Sequence, residues 1–532
     1  MHKTAVAYAI GKIMQVMGLM LLIPLFIAVW DMPLFEFNLL FSNAETLGFI
    51  FAILFALIFG TTLSVLYRKN RDLQGIKEGY AIVSFGWMTL TFICSIPFFL
   101  YFLSVRDLNS TGFFLLFTDS FFEVMSGFTT TGATILTNIE VVPRSLLFLR
   151  ALTHWLGGMG IITLAMVIFP AMGVVGYQMF RGEVPGPTTE KLFPRLAHTA
   201  TTLWAVYALL TAAETVLLLF GGMNLFDAVC HSFATMATGG FSTKNASIAG
   251  FNSDYIEWII TLFMYFAGIN FLLHFKALRG NITSMFKDKE FLFYTYVILG
   301  TIVISTIILH YNGLAPIETA ADSYRFNAGS EVEFAQHYQH QSNNIASLYD
   351  TFRAASFQSL AIITTTGFAT ADFDLWPNFL RFLLVFLMFF GGCAGSTGGG
   401  MKIIRIMIIF KVGLRELRKL TQPRLIAPLK IGNQVIDDSK LINVISFVLL
   451  FIILFVITSA LMTLFVPDLT TAVTCSIATI GNIGPGLAGI GAVENYGWIP
   501  IPGKWVLIFS MLIGRLEIFT VLVILRVAVW RK

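Results

Sequence analysis

Apolar residues along this chain gather in runs of about 20 or more, and shorter apolar stretches that end in threonine or glycine lie between some of them. The runs at 5–30 and 46–67 are each long enough to cross a hydrocarbon core of about 30 Å as a helix. After a basic turn at Arg68, Lys69 and Arg71, one unit recurs four times: long apolar helix, short apolar helix, Thr/Gly-rich loop, long apolar helix. The pattern predicts these at 80–103, 117–129, 129–134 and 147–170, then at 197–220, 225–237, 237–242 and 255–276. The third copy is expected at 291–310, 348–363, 364–369 and 379–413, and the fourth at 440–466, 468–480, 481–486 and 504–528. The short helices, about 13 residues and about 20 Å, cannot cross the membrane and must return to the face they entered. Non-helical backbone at that depth is tolerated only when it is enclosed by protein or lines a watery cavity. Four such segments therefore predict one shared cavity.

The expected fold class is an all-α polytopic membrane protein with ten spanning segments. It comprises four helix–pore-loop–helix repeats around one ion pore (80–170, 197–276, 291–413 and 440–528) and two extra N-terminal transmembrane helices within 1–67. Composition agrees: of 532 residues 56% are hydrophobic and 12% charged, against roughly a quarter charged in soluble proteins. The run lengths argue against a transmembrane β-barrel, whose strands are shorter and alternate. Cys94, Cys230, Cys393 and Cys475 lie in apolar or Gly-rich stretches with no C-x-x-C pair and read as small core residues. The basic N-terminus leads into an apolar run with no small-residue cleavage site, as in a retained first helix.

Charge then orients the chain. One set of loops carries Arg68, Lys69, Arg71, Lys77, Arg181, Lys191, Arg195, Lys276, Arg279, Lys287, Lys289, Arg415, Arg418, Lys419, Arg424, Lys430, Arg531 and Lys532. The other carries Asp107, Glu140, Glu318, Asp322, Glu331, Glu333, Asp372, Asp374 and Glu494. By the positive-inside rule both termini are expected on the cytoplasmic side.

The four loops hold the candidate chemistry. They centre on Gly132, Gly240, Gly367 and Gly484, which lie 108, 127 and 117 residues apart. A small residue stands twelve positions before each (Ser120, Ala228, Ala355, Ala472), and a glycine follows in the next long helix (Gly160, Gly268, Gly391, Gly514). Small residues at these places let helices pass close to the loops. Glycine permits φ > 0, so each loop can turn carbonyl and hydroxyl oxygens toward a common axis. Such oxygens replace the hydration shell of a monovalent cation, and the partly negative C-termini of the short helices favour it further. No carboxylate lies in the loops, which leaves K⁺ or Na⁺. The expected ion-binding residues are Thr130, Thr131, Gly132, Thr238, Gly239, Gly240, Thr365, Thr366, Gly367, Asn482, Ile483 and Gly484.

TTTGAT at 129–134, ATGGFST at 237–243, TTTGFAT at 364–370 and IGNIGPG at 480–486 resemble the filter segments of the bacterial TrkH/TrkG subfamily of K⁺ transporters. HWLGGMGI at 154–161, GGCAGSTGGGMKIIR at 391–405 and GRLEIFT at 514–520 resemble it as well, and the two extra N-terminal helices fit TrkH better than its shorter relative KtrB. The resemblance implies that the four glycines are filter glycines, and that glycine rather than serine at position 132 goes with K⁺ selectivity. It also implies a homodimer in the bacterial inner membrane, bound to a ring of cytoplasmic nucleotide-sensing subunits of the TrkA type. K⁺ is the expected cargo, with no organic cofactor and no enzymatic activity.

Below the filter the third repeat is interrupted by Gly391, Gly392, Cys393, Ala394, Gly395, Ser396, Thr397, Gly398, Gly399 and Gly400, followed by Lys402. Each glycine disfavours helix by about 1 kcal/mol relative to alanine, so an unwound stretch facing the cavity is expected. The alternative is a close-packing kink; the TrkH resemblance makes it an intramembrane loop that blocks the pore and moves on opening. Arg515, at membrane depth in the fourth repeat, is read as a fixed positive charge in the permeation path. Its alternative is a structural pair with Glu517 or another buried carboxylate such as Glu123.

Other signals carry less. Gly484–Gly489 spells G-x-G-x-x-G but follows no strand, and Gly395–Lys402 lacks the Ser/Thr of a P-loop. His337 and His340 lack a third ligand, while His154, Glu214 and His231 are read as helix–helix hydrogen-bonding groups with a proton relay as the alternative. The basic 411–430 run reads as a membrane anchor or a docking surface for a cytoplasmic partner. Competing functions are the K⁺-translocating subunit of an ATP-driven pump, a Na⁺-permeable relative, or a polytopic membrane enzyme. The scattered polar residues argue against the enzyme.

Overall fold

In the computed structural model the described residues are 2–31, 43–70, 76–106, 112–160, 196–312, 347–422, 428–432 and 434–525. The basic residues at 181–195, the outer loop with His337 and His340, and Arg531 and Lys532 lie outside them. Among the described residues six helices are long and apolar enough to cross a membrane. Two of these, Lys3–Trp30 and Ala44–Leu66, pack against each other and against the first helix of the first repeat. Gly11 and Gly60 face each other there, each where a Cβ would meet the other's carbonyl oxygen.

The outer helices of the four repeats are Ile76–Val105, Leu196–Phe220, Lys289–Asn312 and Asp438–Met462. Each leads to a short helix: Phe113–Phe128, Leu225–Met236, Leu348–Ile363 and Leu469–Ile480. Three of these start on a side-chain cap, where Asn224, Ser347 and Asp468 accept the amides of Asp227, Asp350 and Thr471. Ser120, Ala228, Ala355 and Ala472 are fully buried at equivalent places on the four short helices.

The inner helices depart from the expectation of continuous spans. In the first repeat the helix is Arg144–Gly158, and positions 161–170 of the expected 147–170 segment lie outside the described residues. In the second, Asp254–Ala267 and Phe271–Leu278 meet at 102°. Asn270 causes this break by capping the new helix through the Leu272 amide. In the third, Asn378–Leu387 and Ile403–Thr421 flank the Gly-rich stretch, as its composition required. In the fourth, Ile501–Arg515 stops before Phe519–Leu525 because Glu517 and Ile518 take positive φ. A two-stranded ribbon, Lys430–Ile431 with Gln434–Val435, follows the third repeat.

Candidate functional site

The four Thr/Gly loops share one backbone. Thr130, Thr238, Thr365 and Asn482 have φ of 50°, 54°, 60° and 54°, and the glycines two positions later have 78°, 82°, 76° and 99°. In each loop the amide just before the glycine donates to a carbonyl five residues back. The pairs are Thr131 to Ser126 (2.9 Å), Gly239 to Ala234 (2.8 Å), Thr366 to Ala361 (2.9 Å) and Ile483 to Ala478 (2.8 Å). Left-handed residues at alternate positions turn successive carbonyls to one side. Glycine relieves the steric penalty at the second of them.

The loops also meet in order. A Cβ on Gly132 would collide with the carbonyl oxygen of Gly239, one on Gly240 with that of Thr366, and one on Gly367 with that of Ile483. A Cβ on Gly484 would meet the Thr131 carbonyl oxygen and so close the circle. Four carbonyls, from Thr131, Gly239, Thr366 and Ile483, thus form a ring with a glycine between each neighbouring pair. The Thr131 and Thr366 hydroxyls are held by Thr129 and Thr364, both at 2.8 Å, so these two residues give the ring their backbone oxygens. One residue earlier, Thr130 Oγ1 and Asn482 Oδ1 are buried acceptors with no hydrogen-bond partner among the described residues.

Residues 388–402 run directly against this ring. The Gly399 amide donates to Thr365 Oγ1 at 2.7 Å, and Cβ atoms on Gly398 and Gly399 would meet the carbonyls of Thr364 and Gly481. Thr397 Oγ1 donates to the Met236 carbonyl at 2.9 Å, and the Cys393 amide to that of Gly268 at 2.8 Å. Lys402 Nζ turns back on the Gly398 carbonyl at 2.5 Å. Arg515 donates to the carbonyls of Thr397 (2.8 Å), Gly157 (2.5 Å) and Gly158 (2.8 Å). The Gly391–Gly400 stretch therefore touches the second, third and fourth repeats directly and reaches the first through Arg515.

Of the two pairs considered for Arg515, neither forms: Glu517 pairs with Arg405 and Glu123 with Arg150. In the first repeat Gly157 makes an inner-helix contact, since its Cβ would strike the Phe128 carbonyl oxygen. Gly514 meets the Ile480 carbonyl in the same way, whereas Gly268 lies chiefly against the Tyr294 hydroxyl and Gly391 against Gly399. His154 and His231 are hydrogen-bonding groups of the second loop. His154 lies between the Gly127 carbonyl (2.7 Å) and the Phe241 amide (3.2 Å), and His231 between the Asp227 carbonyl and Ser242 Oγ. Glu290 was not anticipated: from the outer helix of the third repeat it accepts the Ala394 amide at 2.7 Å. A charged residue next to an apolar run was the available signal.

The likeness to known proteins runs along the whole chain. The profile of the TrkH family, described as cation transport proteins, matches residues 46–530. The chain belongs to the TrkH family. The potassium uptake protein TrkH of Escherichia coli K12 is 36% identical over 534 residues, covering 100% of both chains. The potassium uptake protein TrkG of the same organism is 29% identical over 100% of this chain and 99% of its own. The crystal structure of the potassium transporter TrkH from Vibrio parahaemolyticus superimposes with a TM-score of 0.81 at 32% identity, covering 100% of both chains. This TrkH-family chain is accordingly a multi-span membrane protein of a transporter family.

Proposed function

We propose that this protein carries K⁺ into the cell through the ring of Thr131, Gly239, Thr366 and Ile483 carbonyls, with Gly132, Gly240, Gly367 and Gly484 as its selectivity glycines. The observation that carries the reading is the closed cycle in which each glycine abuts the carbonyl of the next repeat. A ring of that kind can replace the hydration shell of a monovalent cation. Thr130, Thr238, Thr365 and Asn482 supply side-chain oxygens on the side facing the Gly-rich loop, where two unpartnered acceptors favour an ion over an empty space.

The Gly391–Gly400 loop, with Lys402 and Arg515 bound to its carbonyls, is the gate: it lies across the path beneath the ring and places two positive charges there. The bacterial inner membrane, cytoplasmic termini, a homodimer and a TrkA-type cytoplasmic partner follow from family resemblance and from the charge asymmetry of the loops. Full-length similarity to TrkH favours this reading over a pump subunit.

Purified protein in liposomes, given K⁺, Rb⁺, Na⁺ and Li⁺ with and without a pH gradient, tests it. K⁺ and Rb⁺ are expected to pass in preference to Na⁺ and Li⁺, and a response to the gradient would reveal symport with H⁺. Preference for Na⁺ would overturn the selectivity, and no flux of any ion would overturn the transport reading.

A further inference from the structure

We propose that Glu123 and Arg150, a buried pair outside the ring, set its selectivity by fixing the separation of its first and second segments. The inference rests on the filter reading above. Glu123 lies on the first short helix, nine residues before Gly132, and Arg150 on the first inner helix; their side chains are 0% and 2% exposed. Arg150 Nε donates to Glu123 Oε1 at 2.7 Å. The other carboxylate oxygen accepts the Ile135 amide at 2.9 Å, and Thr134 Oγ1 donates to Oε1 at 2.9 Å. On its far side Arg150 donates through Nη1 to the Ser242 carbonyl at 3.2 Å, and its guanidinium lies 3.9 Å from the centre of the Phe241 ring. One buried pair thus holds the segment leaving the ring after Gly132, by the Thr134 hydroxyl and the Ile135 amide, and the segment leaving it after Gly240, by the Phe241 ring and the Ser242 carbonyl.

The pair stands apart from an equally buried neighbour. Asp119, one turn earlier on the same short helix, binds Lys504 at 2.6 Å, and Lys504 also donates to the Gly497 carbonyl. That second pair joins the first repeat to the fourth at Gly497, thirteen residues past Gly484, and bears on a different joint of the ring: the neighbouring Tyr496 donates its hydroxyl to the Gly484 carbonyl at 2.6 Å and its amide to the Thr134 carbonyl at 2.8 Å. The Glu123–Arg150 pair thus holds the first segment to the second directly, whereas the Asp119–Lys504 pair reaches the fourth only through the backbone beside Tyr496.

Charge and spacing have different signatures. An uncompensated charge behind the ring alters the flux of all monovalent cations together. A change in carbonyl spacing alters the ratio between ions that differ in radius by a few tenths of an ångström. Arg150→Lys keeps the charge but loses the planar fork that reaches Glu123 and Ser242 at once. Glu123→Gln removes one charge but keeps an acceptor.

The test is the Na⁺-to-K⁺ flux ratio in proteoliposomes for the native chain, Glu123→Gln, Arg150→Lys, Lys504→Met and Gly132→Ser, each checked for folding by size exclusion. In whichever of Glu123→Gln and Arg150→Lys folds, the ratio is expected to rise roughly tenfold, the shift that losing about one hydrogen bond's net free energy gives. Lys504→Met, which reaches the ring only through the backbone beside Tyr496, is expected to raise the ratio less than the pair variants. An unchanged ratio in the folded pair variants, with a raised ratio in Gly132→Ser, would overturn the inference and leave the filter intact. An equal rise in Lys504→Met would also overturn it, since general loosening would then suffice. An unchanged ratio in Gly132→Ser would sink the filter reading and this inference with it.

Discussion

At the scale of single residues, the backbone imposes the demands that the glycines meet. At Gly240, φ is 82° and the Thr366 carbonyl oxygen stands where a Cβ would go. Left-handed backbone disfavours an L side chain by roughly 1–2 kcal/mol, and the collision must in addition push the third segment outward. Gly240→Ala is therefore expected to lower Rb⁺ uptake into proteoliposomes at least about tenfold while the protein still elutes as a folded species; native uptake would refute this. Arg515 makes the opposite case. Its guanidinium holds the loop by the Thr397 carbonyl and the first inner helix by Gly157 and Gly158, and in the proposed gate it also sets a positive charge against the path. Arg515→Gln is expected to raise K⁺ flux, because both the repulsion and the tether weaken. Unchanged or abolished flux in a folded variant would count against a barrier role.

Elements show which parts of this architecture were legible in the sequence. The outer and short helices were, since run length and the recurring Thr/Gly ends place them within a few residues of Leu196–Phe220 or Leu348–Ile363. The third break was legible too, because ten residues with six glycines cannot hold a helix. The breaks at Gly268–Asn270 and 516–518 were not. The second depends on one asparagine capping the helix that follows, and the fourth on two non-glycine residues, Glu517 and Ile518, held at positive φ by their surroundings. Nor could spacing show that Glu123 and Arg150, 27 positions apart, share a buried contact. Glu290 belongs to the same class, as its acceptance of the Ala394 amide ties the Gly-rich loop to an outer helix. Glu290→Leu leaves that amide without an acceptor, a loss of about 1–3 kcal/mol for a buried donor. The loop should then leave its resting position more often. A raised basal K⁺ flux in liposomes is expected, and a native rate would show that the tether is dispensable.

At the scale of the whole molecule, a cluster of acidic groups stands out among the described residues. On the side where the loops leave the ring, Asp372, Asp374 and Glu494 lie close together. Burial, with the negative Asp374 beside it, pushes the Asp372 carboxyl up to about 6, against the opposing pull of the Asp374 amide and Arg381. Burial and these two aspartates also raise Glu494. Asp372 is thus ionised at neutral pH and loses its charge as the pH on that side falls through about 6. Cation uptake from that side should decline over the same interval, more at low ionic strength, where surface charge is less screened. Flux measured against external pH for the native chain and Asp372→Asn would show it, since the variant should lose this step.

The order of contacts around the ring bears on how the chain is made. Its last joint, Gly484 against the Thr131 carbonyl, unites the first repeat with the final quarter of the sequence. A nascent chain whose first three repeats are already in the bilayer therefore has three sides of a ring and no finished conduit. During synthesis the membrane would be spared a selective leak until the fourth repeat arrives. A chain that ends before residue 440 should accordingly leave the membrane potential of the cells that express it undisturbed.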